Sequence, residues 1–280
     1  MFLLTGANGF IGSALVQSLN ERGITDLILV DDFQHYENKG PNLDGKAYLV
    51  KVERDTLFTV WDQEQWPLTG VYHLGARTDT TETDPRIFDR LNRNFSMDLW
   101  KRCVDFQLPL VYASSAATYG DGAQGFSDAT SPEALQPLNE YGKSKNDFDE
   151  WALGQTTTPP AWYGLKFFNV YGPNEYHKGR MASVVWHTYR QVLATGKMNL
   201  FRSHREDIAD GAQARDFIYV KDLCQVCMYL MDTQPDGSGL FNLGTGKART
   251  FRDLAEATFQ AMDKEPTIQF IDTPTDLRAN

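Results

Sequence analysis

The chain has 280 residues, of which 41% are hydrophobic and 23% charged, a balance that excludes a disordered or fibrous protein. No apolar run approaches the roughly 18 residues of a membrane span, so no membrane partner is expected. The net charge of −10 disfavours nucleic-acid backbones as partners.

In chain order, Met1–Thr5 runs straight into a glycine-rich turn without a basic stretch or cleavage site, which predicts a cytoplasmic protein. Short aliphatic runs at Phe2–Thr5, Leu27–Val30, Ala47–Lys51, Gly70–His73, Leu110–Ala113 and Leu165–Phe168 alternate with stretches of helical period. Six such strands predict an α/β fold, a Rossmann-type doubly wound parallel sheet over residues 1–168. Beyond it the pattern is less regular: a helix around Met181–Ala194, a loop at Ser203–Ala214, and strand–helix pairs at Asp216–Met231 and Phe241–Ala261. Residues 169–280 therefore read mainly as a smaller C-terminal substrate-binding domain, with 215–245 returning to the large domain. Cys103, Cys224 and Cys227 are too few for a disulfide framework. The Cys224–Cys227 CxxC lacks the second ligand pair of a zinc site, so it reads as helix packing and no metal is expected.

The segment Gly6-Ala7-Asn8-Gly9-Phe10-Ile11-Gly12 closes the first strand and opens a helix. Gly6 serves a tight turn, Gly9 lets backbone amides approach a pyrophosphate, and Gly12 lets the helix lie close to the sheet, while the helix N-terminus favours the phosphate charge. Asp31 ends the second strand, where a carboxylate can accept bonds from an adenosine ribose. Asp31 and Asp32 suit the free 2′-hydroxyl of NAD, and a 2′-phosphate would need a nearby cation, for which Lys39 is the candidate. Leu74-Gly75-Ala76 follows the fourth strand with small residues that suit the middle of the cofactor, and Asn92 on the next helix is placed to bond that loop.

The fifth strand ends in Ser114 and Ser115, at the carboxyl edge where open sheets bind ligands. Tyr141 and Lys145 then stand four residues apart, on one helix face, a spacing that predicts an ammonium lowering the phenol's pKa. In that arrangement Tyr141 takes a hydroxyl proton as hydride leaves, Ser115 holds the substrate oxygen, and Lys145 also bonds the nicotinamide ribose.

The glycine turn, the serine-bearing strand end and YxxxK, in this order, resemble the extended short-chain dehydrogenase/reductase family from Met1 to about Asp272. The runs YASSAATYG (Tyr112–Gly120), PLNEYGKSK (Pro137–Lys145), FFNVYGPNE (Phe167–Glu175), HKGRMAS (His177–Ser183), RDFIYVKD (Arg215–Asp222) and FNLGTG (Phe241–Gly246) narrow the resemblance to its ADP-heptose epimerase branch. The resemblance implies epimerisation at C6 of ADP-D-glycero-D-manno-heptose by transient oxidation with retained NADP, for which a sequence bearing Asp32 leaves NAD open. It implies Tyr141 and Lys178 as two acid–base groups, Val170 and Lys178 near the cofactor, and Asn169, Arg180, His187, Phe201, Arg202, Ser203, His204 and Arg215 around the substrate, Arg215 facing its diphosphate. It also implies a homo-oligomer, a product destined for the lipopolysaccharide core, and further C-terminal helices past Asn280. Two other readings stay open: action on another nucleotide sugar, and a non-catalytic nicotinamide-binding protein. Ala116-Ala117 beside Thr118, with no acid, disfavours a dehydratase.

Overall fold

The computed structural model describes residues 1–35, 37–203 and 206–272. The elements in chain order are β1 (Phe2–Thr5), α1 (Phe10–Glu21), β2 (Leu27–Asp31), β3 (Val50–Glu53), α2 (Leu57–Glu64), β4 (Gly70–His73), α3 (Pro85–Phe88), a π turn (Asp89–Asn94), α4 (Phe95–Asp105), β5 (Leu110–Ser115), α5 (Glu140–Leu153) and β6 (Trp162–Phe167). There follow β7 (Asn169–Tyr171), α6 (Val184–Thr195), β8 (Met198–Phe201), β9 (Ala214–Tyr219), α7 (Val220–Thr233), β10 (Gly239–Leu243), β11 (Ala248–Thr250), α8 (Phe251–Ala261) and β12 (Ile268–Ile271). The chain divides into two compact units: Met1–Phe167 with Val220–Leu243, and Phe168–Tyr219 with the residues from Gly244 on.

The first unit is built on a sheet in the order β10-β6-β5-β4-β1-β2-β3, parallel throughout. All five residues of β2 are buried, as parallel strands covered on both faces must be. Leu3, Ile28, Val71, Leu110 and Tyr112 pack with Trp61, Trp100 and Phe148 in one core, where truncating a buried Trp costs about 3–5 kcal/mol. Cys224 and Cys227 are buried on α7, and burial pushes the Cys224 thiol up to about 12. Among the described residues no helix is long and apolar enough to cross a membrane.

The second unit holds a small sheet in the order β11-β9-β7 and a parallel pair, β12 with β8. Val192 of α6 and Ala255 and Phe259 of α8 meet Met198 and Leu200 of β8 in its core. Ser183 caps α6 by accepting from the Trp186 amide, and Thr250 and Asp253 form a reciprocal capping box at α8.

Several expected bounds shift. The third strand begins at Val50 rather than Ala47, because the Asn20 side chain takes both backbone groups of Ala47, accepting from its N–H at 2.8 Å and donating to its carbonyl at 3.0 Å. The large sheet has seven strands rather than six, since β10 pairs with β6 at its edge. The helix expected at Met181–Ala194 starts at Val184, after a 3-10 helix at Tyr176–Met181 in which Gly179 has a φ of 53°.

Candidate active site

In the first unit, the β1–α1 turn and the loop after β4 close on each other. Gly6 has a φ of 70°, and a Cβ on it would lie 2.7 Å from the Gly75 Cα, so a side chain fits neither the turn nor the space. Thr5 ties the two loops, its carbonyl accepting from the Leu74 amide (3.2 Å) and its hydroxyl oxygen from the Gly75 amide (3.1 Å). The Thr5 hydroxyl also meets His73 Nδ1 at 2.6 Å, His73 Nε2 meets the Ser96 hydroxyl at 2.8 Å, and Ser96 donates to the Asn92 carbonyl. Since the Ser96 proton is spent on Asn92, Nε2 of His73 carries a ring proton. Burial holds its pKa down at about 3, and the Lys145 charge acts the same way. Asn92 itself is buried in the π turn. Its Oδ1 accepts from the Arg77 amide (2.7 Å), and its Nδ2 donates to the Arg77 carbonyl (3.0 Å) and the Ser144 hydroxyl (2.9 Å). It thus fixes the far end of the Leu74-Gly75-Ala76 loop and ties it to α5.

At the end of β2, Asp31 Oδ2 accepts from the Asn8 amide at 2.9 Å and Oδ1 from the Asp32 amide at 2.8 Å, with Lys39 Nζ 3.7 Å from Oδ1. Asp32 faces His35 Nδ1 at 2.6 Å and Arg54 Nη2 at 3.4 Å. Burial works to raise the Asp32 carboxyl, yet the His35 bond and the Arg54 and His35 charges hold it below its usual range. Arg54 and Asn42, whose Nδ2 donates to the Asn8 carbonyl at 3.0 Å, are members of this end of the sheet that no local motif pointed to.

These residues fit a nicotinamide dinucleotide. Gly9 begins α1 with no side chain to cap it, and the first turn, Phe10-Ile11-Gly12, carries no acid, so the helix N-terminus offers its positive end to a phosphate. The Asn8 side-chain oxygen is buried without a hydrogen-bond partner among the described residues, a polar atom placed to take one from a ligand.

Ser115 ends β5 with its hydroxyl oxygen accepting from the Ala117 amide at 3.1 Å. Asn139 caps α5 by accepting from the Gly142 amide at 2.8 Å, which starts the helix one residue before Tyr141 and brings that phenol beside the Ser115 hydroxyl. Lys145 is buried and donates to the Ala113 carbonyl at 2.8 Å; burial brings its pKa down to about 8. Ser115, Tyr141 and Lys145 therefore do converge. The expected lowering of the phenol is corrected: burial raises Tyr141, the Ser115 bond pulls the other way without winning, and the Asp149 charge adds to the rise. The physical reason is that desolvation penalises a phenolate more than one hydrogen bond repays, and the Lys145 ammonium is directed to Ala113.

In the second unit, Lys178 and Arg180 lie on the 3-10 helix Tyr176–Met181, and His187 Nε2 meets the Arg180 carbonyl at 3.3 Å from α6. The buried Glu175 closes this segment at both ends: Oε1 accepts from the Gly172 amide (3.0 Å) and the Ser183 hydroxyl (2.8 Å), and Oε2 from the Ser183 amide (2.6 Å). Asn169 pairs with Phe217 across β7 and β9, and Arg215 lies two residues before Phe217, so both point to one sheet face while Val170 points to the other. Phe201 ends β8 exposed; the Arg202 amide donates to the Ile271 carbonyl (2.8 Å) and the Ser203 amide to Asp210 Oδ1 (2.8 Å). His204 lies outside the described residues.

A dinucleotide cradle beside a serine, a phenol and a buried lysine defines an enzyme that moves hydride and protons at a carbinol carbon. The chain belongs to the NAD dependent epimerase/dehydratase family, whose model it matches over residues 2–244. A curated relative from Fusobacterium nucleatum, an ADP-L-glycero-D-manno-heptose-6-epimerase, is 45% identical over 289 residues, covering 99% of this chain and 86% of its own. The crystal structure of the Helicobacter pylori ADP-L-glycero-D-manno-heptose-6-epimerase superposes with a TM-score of 0.80 at 25% identity, covering 97% of this chain and 84% of that one. A Thermus thermophilus UDP-glucose 4-epimerase in complex with NAD matches with a TM-score of 0.75 at 25% identity, covering 96% and 85%.

Proposed function

We propose that this protein epimerises C6 of ADP-D-glycero-D-manno-heptose to give the L-glycero form, with a nicotinamide cofactor that stays bound and is recycled in every turnover. The observation that carries the reading is the meeting of Ser115, the Tyr141 phenol and the buried Lys145 at the end of β5, in a chain 45% identical to an enzyme of that name. Residues of the β1–α1 turn, with Asp31, Leu74-Gly75-Ala76 and Lys145, would hold the cofactor, whose ring supplies reversible storage of a hydride. Ser115 would hold the C6 oxygen, Tyr141 would take its proton as the hydride leaves, and Lys178 would give a proton back as the hydride returns to the opposite face. Lys178 serves as the second acid–base group, and Asn169, Arg180, His187 and Arg215 serve the substrate. NADP is the favoured form, because Lys39 and Arg54 stand beside the two carboxylates that end β2 and offset their repulsion of a 2′-phosphate. The same reading makes the protein a cytoplasmic homo-oligomer.

Proton NMR of the purified protein with ADP-D-glycero-β-D-manno-heptose and no added cofactor tests it. The expected result is conversion to the L-glycero epimer. No conversion, with NADP or NAD added as well, overturns the substrate assignment and directs the assay to UDP-sugars.

A further inference from the structure

Beneath the Ser115–Tyr141 pair lies a buried polar cluster that the proposed chemistry does not use. Asp149 is fully buried on α5, one helical turn past Lys145 and two past Tyr141. Its Oδ1 accepts from the Tyr112 hydroxyl (3.1 Å); its Oδ2 accepts from the Ser114 hydroxyl (2.5 Å) and stands 3.2 Å from Lys166 Nζ. Lys166, fully buried on β6, also donates to the Thr118 hydroxyl oxygen (2.8 Å) and lies 5.0 Å from the centre of the Tyr119 ring.

Stability alone does not account for this pair. Taking two charges out of water carries a large desolvation penalty for each, and an apolar pair of similar volume is often as stable. The cluster has two other properties. It joins the strand end bearing Ser114 and Ser115, the turn bearing Thr118, and the helix bearing Tyr141 and Lys145. It also sets one carboxylate against two buried ammoniums, those of Lys166 and Lys145.

We propose that Asp149, locked by Lys166, is a positioning residue that pins the Ser115 strand end to the Tyr141–Lys145 helix and balances the Lys145 charge. This rests on the reading of Ser115, Tyr141 and Lys145 as the reacting groups. The groups facing Asp149 are Tyr112 and Ser114 from β5, Tyr119 from the turn after it, Lys166 from β6, and Lys145 and Tyr141 along its own helix. Burial keeps Tyr112 a neutral donor by pushing its phenol well up, so the lysines carry the opposing charge. The Asp149 carboxylate favours the charged form of Lys145 and disfavours a charged Tyr141. Removing it therefore lowers both titrations and moves the pH profile toward acid.

The test compares wild type, Asp149→Asn, Asp149→Glu and the double variant Asp149→Leu/Lys166→Met, the last removing both charges so that neither is left buried alone. NMR of 13C-lysine protein, with Lys145 assigned by Lys145→Arg, follows the Lys145 titration; turnover is measured across pH. In Asp149→Asn we expect the Lys145 titration and the alkaline limb of kcat to fall by about one pH unit, kcat at neutral pH to fall about tenfold, and KM to change less than twofold. Asp149→Glu restores part of the profile. The double variant folds and still turns over about tenfold more slowly. A double variant with wild-type kcat and pH profile, or a Lys145 titration unmoved in Asp149→Asn, overturns the proposal. If wild type leaves ADP-heptose unchanged while the Lys145 titration still shifts, the substrate assignment fails and the coupling of Asp149 to Lys145 stands.

Discussion

Gly12 faces the carbonyl of Gly6 so closely that a Cβ on it would lie 2.0 Å from the Gly6 oxygen. Backbone cannot yield as the end of a side chain does, so Gly12→Ala must move α1 away from the β1–α1 turn. Overpacking of this kind costs about 1–3 kcal/mol. We expect Gly12→Ala to lower Tm and to be purified with less than a tenth of the wild-type nicotinamide content. Unchanged content by absorbance after denaturation would show that the turn tolerates the shift.

Tyr141 and Lys178 are predicted to fail in the same way at the chemistry and to spare the cofactor. General acid–base groups contribute about 10²–10⁴-fold, so Tyr141→Phe and Lys178→Met should each lose at least a hundredfold in epimerisation while retaining bound nicotinamide. Full activity in Lys178→Met would remove it as the second acid–base group.

Lys145 separates activity from stability at alkaline pH. Its folded pKa, about 8, is below its ordinary 10.5, so the unfolded chain binds more protons between those values and this group makes the fold more stable as pH rises through that window. Activity that depends on its ammonium does the opposite. A kcat that falls above about pH 8 while the urea midpoint holds between pH 8 and 9 is the expected pattern; a parallel fall in both would assign the loss to unfolding.

His73 gives the acid side. Its folded pKa of about 3 against an ordinary 6.5 means that the unfolded chain alone takes up this proton as pH falls below 6.5. Lowering the pH from 7.5 to 5 should cost about 2 kcal/mol through this ring alone. Urea unfolding at the two values should show a smaller loss in His73→Asn than in wild type.

The parts of the site that could be read from the sequence are those whose chemistry is local. The glycine turn, Asp31 at a strand end, and Tyr141 four residues before Lys145 are short patterns, and each sits on the element that the pattern implied. Asn92 reached the loop that its position suggested. What could not be read depends on burial and on partners distant in the chain. Asp149 and Lys166 look like ordinary surface charges until β5, β6 and α5 enclose them. Glu175 looks like the end of a motif until the chain turns back and Ser183 reaches it. The direction of the Tyr141 shift failed for the same reason, since helical spacing shows an approaching ammonium and says nothing about lost water.

The π turn at Asp89–Asn94 constrains how this chain can vary in length. Such a turn is an α-helix holding one residue more than its pitch accommodates, and here the extra residue lets Asn92 reach both Arg77 and Ser144. Deleting one residue there would let the turn close as ordinary α-helix while the turns on either side keep nearly the same faces, because the wide turn completes one revolution with the extra residue in it. Trp100 would keep its place in the core, and the loss would fall on Asn92, whose bonds to Arg77 and Ser144 depend on the wide turn. A straightened helix would thus fold as before and leave the loop after β4 untied from α5.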